Sequence, residues 1–335
     1  MPVLAAYIGA HDVTGLIYKS SEEYTFWNYP YVYSPELFSA FTTETSFYRA
    51  LFDQMCKDVD LKLSDCDVIL SGFLEPPKID LGLKMYISMY ELLLRTEQYY
   101  PIMINNYAVA TKDQIFSSKP LQYPAGETQD PVEEDFAANL SLYPQVVVSD
   151  LVSRVEMDSK LLQTVQNFKV PAEKPIVFLG CRFNTLHGIE DVNTMLILQL
   201  LQGTGAYDIF VDSNDSTILT NLLRIYLGKD PGITVHPEKL ATLISIPSGI
   251  ECLIASQIGT SQIIDLEKDK IFVLPLPKEE RTKIMLKPAG NPQVERIVSG
   301  GKSGLIFDTR TGKTDFASAY RQYSSFIRSA GGDIK

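Results

Sequence analysis

Two apolar runs open the chain. Val3–Ile8 is unbroken and stops at Gly9, and apolar character resumes over Gly15–Tyr18. Short runs of this kind, separated by turn residues, predict two strands joined through Ala10-His11-Asp12. Aromatic residues then crowd Tyr24–Phe41, a segment expected to be irregular with some strand. Behind Thr43, a capping residue, Phe47, Ala50, Leu51 and Met55 recur at helical intervals and predict a helix to about Lys57. A short buried strand at Val68–Leu70 ends at Gly72. The apolar stretch 82–98 reads as a long helix, and Ile102–Val109 as one strand.

The segment 117–131 holds Pro120, Pro124, Gly126 and Pro131, which makes it the expected loop between two lobes. A short helix over 132–141, a strand at Val146-Val147-Val148 and a helix from Asp150 to about Phe168 follow. Past Pro171–Pro175 comes another buried strand, Ile176–Leu179, closed by Gly180. The pattern then predicts helix 191–202, strand Ile209–Val211 and helix 214–227. That last helix carries Ile218, Leu219, Leu222, Leu223 and Tyr226 on one stripe, with Gly228 as its C-cap. Strand and helix alternate, which implies crossover connections, a mainly parallel sheet and an α/β fold. After Pro231 the texture changes to short β-like pieces (Leu243–Ile246, Gln262–Asp265, Ile271–Leu274, Lys283–Leu286, Gly304–Phe307) broken by Pro and Gly. The expected division is a first α/β lobe over 1–120, a second over 121–231, a β-rich module over 232–313 and a C-terminal helical segment over 314–335.

Composition narrows the function classes. With 30 basic and 41 acidic residues the formal charge is −11, which argues against a general nucleic-acid or anionic-lipid surface. Four cysteines form no CxxC pair and only three histidines exist, so a zinc site of familiar spacing is not expected. The start lacks a basic n-region and no apolar run reaches membrane-spanning length, so neither a signal peptide nor direct membrane insertion is expected. The cytoplasm is the expected location.

Several motifs carry potential chemistry. Ser299-Gly300-Gly301-Lys302-Ser303-Gly304 suggests a phosphate loop, but Arg296 stands where a Walker A loop needs glycine, and the following Leu305-Ile306-Phe307 is strand-like. It reads as a glycine-rich turn. No G-x-S-x-G elbow is present, and Cys181 with His187 is no more than a paper pair. The turn Gly9, Ala10, His11, Asp12 presents backbone N–H groups that suit a phosphate, or makes an ordinary hairpin. Asp150, between strand and helix, is placed to hold Mg²⁺ through water or to cap the helix. Gly180-Cys181, also at a strand end, allows close approach of a ligand or simply turns the chain.

A hairpin with glycine, a strand ending in aspartate and a strand ending in glycine, in that order, resemble the actin-like ATPase superfamily. The second half is more particularly similar to the MutL/GlmL group, actin-like proteins associated with glutamate mutase. The residues that carry this likeness are Met195–Gln202, Thr204–Asp212, Leu219–Ile225, Pro247-Ser248-Gly249, Val273–Leu276 and the string Gly300–Arg310. The resemblance implies a two-lobed actin-like (ribonuclease H-like) fold with a nucleotide, ATP with Mg²⁺, at Gly9, Ala10, His11, Asp12, Asp150, Gly180 and Cys181. Three departures stand against it. Tyr7 occupies the place of a metal-directing aspartate; Asp150 is followed by Leu151-Val152-Ser153 instead of glycines; Gly180-Cys181 replaces paired glycines. Metal and positioning supply most of the catalysis in phosphoryl transfer, so these losses predict weak or lost nucleotide use. The reading is therefore a partner-binding, chaperone-like or assembly protein. The alternatives are an active Mg-ATP-dependent ATPase or kinase-like enzyme using Asp150 or Asp12, and a cytoplasmic scaffold of a pilus or division type system. The sequence assigns no resident metal site, and oligomeric state stays open.

Overall fold

A computed structural model of the chain describes residues 1–9, 12–30, 44–72, 82–104, 108–117, 162, 165, 168–171, 174–180, 190–201, 204–246, 250–255, 261–276, 278, 280–288 and 294–311. The apolar runs at the start form β1 (Val3–Ile8) and β2 (Asp12–Tyr18), and the aromatic segment contributes β3 (Tyr24–Pro30). Helix α1 (Glu44–Lys57) leads to β4 (Asp67–Gly72) and β5 (Leu83–Ser88). These five strands make one sheet in the order β3-β2-β1-β4-β5. The two hairpin partners run antiparallel, while β1, β4 and β5 are parallel. Strand β1 lies at the centre and is covered on both faces, which is why its residues are apolar without alternation. Leu4, Ala6 and Ile8 pack towards Phe52 and Met55 of α1. Val3, Ala5 and Tyr7 point the other way, into a second core.

Helix α2 (Met89–Leu94) follows β5 directly, with Ser88 Oγ accepting the Glu91 amide at its N-terminus. Strands β6 (Tyr100–Ile104), β7 (Ala108–Ala110), β8 (Ile115–Ser117), β9 (Ile176–Leu179) and β10 (Gly205–Val211) come next in the sheets, with α3 (Glu190–Leu200) between the last two. Their order is β10-β9-β6-β7-β8; the β6–β7 and β7–β8 pairs are antiparallel, and β6, β9 and β10 are parallel. Order and direction repeat those of the first sheet. Helix α4 (Ser216–Leu227) ends at Gly228, whose φ of 65° closes it in the left-handed conformation.

The second sheet continues past β10 through β11 (Glu238–Ser245), and two later strands, β17 (Leu305–Asp308) and β14 (Ile271–Leu274), complete eight. A third, antiparallel sheet of β13 (Ser261–Leu266), β12 (Ile250–Ala255), β15 (Arg281–Pro288) and β16 (Val294–Ser299) lies against that extension.

Helices α2 and α4 form the layer between the first two sheets. Ile218, Leu219, Leu222 and Leu223 of α4 share a core with Val3, Ala5 and Tyr7 of one sheet and Met103, Val177 and Leu179 of the other. Polar contacts fix the helix: Tyr226 donates to Asp67 Oδ2 at 2.9 Å, and Asn221 Nδ2 to Thr96 Oγ1 at 2.9 Å. Removing one of these buried leucines costs about 2–5 kcal/mol.

Four sequence expectations differ from this fold. The stretch 82–98 is a strand and then a short helix, because Leu83, Met85 and Ile87 alternate beside β4 before Ser88 caps α2. Ile102–Val109 is two antiparallel strands, since Met103 pairs with Ala110 and Ile104 with Val109. Residues 100–117, expected in the first lobe, stand in the second sheet. The region after Pro231 is partly more of that sheet, through β11, β14 and β17, and partly separate. Of the expected loop 117–131 only Ser117 is described, as the end of β8; the helix over 132–141, the strand at Val146–Val148, most of the helix from Asp150 to about Phe168 and the helical segment 314–335 lie outside the described residues.

Candidate functional site

The β1–β2 hairpin of the first sheet reaches the second through Tyr7, which meets β6, the strand beside β9. Gly9 donates its amide to the carbonyl of Asp12 at 2.8 Å, closing the hairpin. The Asp12 side chain, 1% exposed, folds back on the turn: a Cβ built on Gly9 would lie 2.3 Å from Asp12 Oδ1. A side chain at position 9 would have to displace this carboxylate. Two residues earlier, Tyr7 is 2% exposed and its hydroxyl meets Met103 Sδ of β6 at 3.0 Å.

Met103 continues the connection. Its Cγ lies 3.3 Å from where a Gly180 Cβ would be, and the Ile104 carbonyl oxygen lies 2.4 Å from that point. Gly180 has φ +105°, so the close approach of β6 and the backbone conformation both require glycine. Its amide donates to Asp215 Oδ1 at 2.8 Å, tying β9 to the start of α4. Asp212 binds the same helix end, with Oδ1 accepting from Ser216 Oγ at 2.8 Å and Oδ2 from the Thr217 amide at 2.6 Å. Asp212 thus anchors the N-terminus of α4, where a carboxylate suits the positive end of a helix, while the Asp215 carboxylate binds β9.

Gly9 and Asp12 stand on one sheet and Gly180 on the other, with Tyr7 and Met103 in contact between the two sheets. Ala10, His11, Asp150 and Cys181 lie outside the described residues. Sequence reasoning missed the β6–β7 hairpin, which occupies in the second sheet the place that β1–β2 has in the first. The doublet Asn105-Asn106 was the available signal, since asparagine favours turns.

The glycine loop 299–304 has a different job. Its Lys302 and Ser303 amides donate to the carbonyls of Lys239 (3.1 Å) and Leu240 (2.7 Å), and the Gly304 amide to Gly301 (3.0 Å). A Cβ on Gly300 would lie 1.6 Å from the Leu276 carbonyl oxygen. The loop is a packing turn that threads β17 between β11 and β14, as the sequence reading of a glycine-rich turn has it.

Two sheets carry the same five-strand order, each led by a hairpin, with helices between them. That doubled arrangement resembles the actin-like fold. Solved structures to which this chain is similar include the activator of the 2-hydroxyisocaproyl-CoA dehydratase from Clostridium difficile with bound ADPNP. Identity there is 14%, over 66% of this chain and 92% of that one, at a TM-score of 0.41. A second is the (R)-2-hydroxyglutaryl-CoA dehydratase component A of Acidaminococcus fermentans, at 12% identity, 67% and 97% coverage and TM-score 0.38. A third is the ethanolamine utilization protein EutJ of Carboxydothermus hydrogenoformans, at 9%, 68% and 90%, and 0.37. No family model and no curated protein matches the chain.

Among the described residues here, Tyr7 is a buried phenol, Asp12 turns a buried carboxylate towards Gly9, and Asp212 and Asp215 accept from helix and strand amides. Among the described residues no group of three or more His, Cys, Asp or Glu is placed to hold a metal, and no described helix is long and apolar enough to cross a membrane.

Proposed function

We propose that this chain is an actin-like partner-binding protein, of chaperone or assembly type, in which nucleotide binding is weak or lost. The observation that carries the reading is Tyr7, buried at the hairpin and bonded to Met103 of the second sheet. A carboxylate at that position would hold hydrated metal; a phenol in a core cannot, and it packs the two sheets together instead. The Asp12 carboxylate over Gly9 adds like-charge repulsion to any approaching phosphate. The third sheet adds surface for contacts with another protein. The expected partner is a protein, not nucleic acid, and the expected compartment is the cytoplasm.

One observation favours the enzyme reading, an ATPase or kinase-like transferase. Asp12 sits on the hairpin turn itself, so with Asp150 it is a candidate to direct a metal. Phosphate release from Mg-ATP separates the two. The proposal expects turnover no greater than that of the Asp12→Asn and Asp150→Ala variants. Wild-type turnover that either substitution abolishes would establish the enzyme.

A further inference from the structure

Among the described residues, the third sheet ends in a strand without a neighbouring strand on its outer side. Strand β16 pairs with β15 and with no other described strand. A cavity of about 370 Å³ is lined by Arg296–Ser299 of β16, by Arg281 of β15, and by residues of β10 and β11. Side chains alternate between the two faces of a strand, so four consecutive residues border one cavity only where it follows the strand's edge. One end of that edge is already closed: the Ser299 carbonyl accepts from Lys239 Nζ at 3.1 Å and from Thr242 Oγ1 at 2.7 Å.

Charge inside the cavity is uneven. Asp208 is neutralised by Lys239 at 2.6 Å, and Glu295, beside Arg296, is taken by Lys283 at 2.7 Å. Arg281 and Arg296 meet no carboxylate among the described residues. Two uncompensated guanidinium groups stand in a chain whose net charge is −11. Between them Ile297 is 72% exposed, an apolar side chain on an open edge.

We propose that the free edge of β16 takes up an extended, acidic segment of a partner polypeptide. The segment's main chain pairs with β16, and carboxylates on its two faces meet Arg296 on one side of the sheet and Arg281 on the other. A second copy of this chain is a poorer occupant, because the one acid of its β16, Glu295, is already held by Lys283. The inference gives a surface and a chemistry to the partner-binding reading and rests on it.

Fluorescence anisotropy on the full chain tests it, with a labelled extended peptide of consecutive glutamates flanked by valines, which presents carboxylates on both faces, as probe. A lysine-for-glutamate counterpart and an N-methylated acidic peptide, which cannot form the ladder, serve as controls. The acidic peptide is expected to bind, and to bind at least about tenfold more weakly when N-methylated or when the chain carries Arg281→Ala with Arg296→Ala. The Arg281→Glu, Arg296→Glu double variant is expected to switch preference to the lysine peptide, a gain that misfolding cannot produce. Absence of binding, equal binding of both peptides, unchanged affinity in the alanine variant, or competition by free glutarate as strong as by the peptide would each overturn the proposal. So would dimerisation through this edge. The partner reading itself fails on ATP turnover, a separate readout.

Discussion

Gly180 donates its amide to the buried carboxylate of Asp215 at 2.8 Å, across 35 positions of sequence. The bond joins the end of β9 to the residue that opens α4, and Asp215 holds φ 50° to make it. Asp215→Ala leaves a buried amide without an acceptor and is expected to cost about 1–3 kcal/mol. Asp215→Asn keeps an acceptor oxygen and costs less. Urea midpoints of the two variants, at unchanged slope, check the order.

The glycine loop offers a contrast between packing and anion binding. Gly300→Ala drives a Cβ into the Leu276 carbonyl and is expected to destabilise by several kcal/mol or prevent folding. Lys302→Ala, at an exposed position, is expected to change stability by less than about 1 kcal/mol. A phosphate loop would show the reverse dependence in ligand affinity, with Lys302 the critical residue.

A buried ion pair locks the end of β17. Arg310 Nε meets Asp308 Oδ1 at 2.8 Å and its Nη2 meets Oδ2 at 2.6 Å, with side chains 1% and 4% exposed. The guanidinium also donates to Gln199 Oε1 of α3 at 3.1 Å. Asp308→Ala strands a buried positive charge and is expected to cost about 3–5 kcal/mol. Replacing both partners with apolar residues is expected to cost less than the sum of the single changes, which a double-mutant cycle reads directly.

Cys56 and Cys66 place their sulfurs 3.9 Å apart in the core between α1 and the first sheet. Burial, with Cys66 beside it, pushes the Cys56 thiol up from 9.0 to about 12. A raised pKa means the folded state holds the proton more tightly. Its stabilisation is complete below pH 9 and is lost between there and about pH 12, as the unfolded thiol ionises first. Cys56→Ala is therefore expected to flatten the alkaline fall in stability relative to wild type. A thiol reagent at pH 8 is expected to label both cysteines only after unfolding.

Some of this was legible in the residues and some was not. Strands β1 and β9 and helix α4 stand out because each is a local pattern: an unbroken buried run, or one apolar stripe closed by Gly228. Strand β5 was hidden because Leu83, Met85 and Ile87 run straight into the helical spacing of Met89, Leu92 and Leu93. The insertion of β17 between β11 and β14 depends on partners far away in sequence, which no local window reveals. Tyr7 shows both limits. Its place before Gly9 is visible in the sequence, but its bond to Met103, 96 residues on, belongs to the fold.

Isothermal titration of Mg-ATP into the full chain tests the central claim most directly. A buried phenol in place of an acid, and a carboxylate over the hairpin turn, predict no saturable heat up to about millimolar nucleotide, near −4 kcal/mol of binding free energy at most. One-to-one binding at micromolar Kd, dependent on Mg²⁺, would contradict the account.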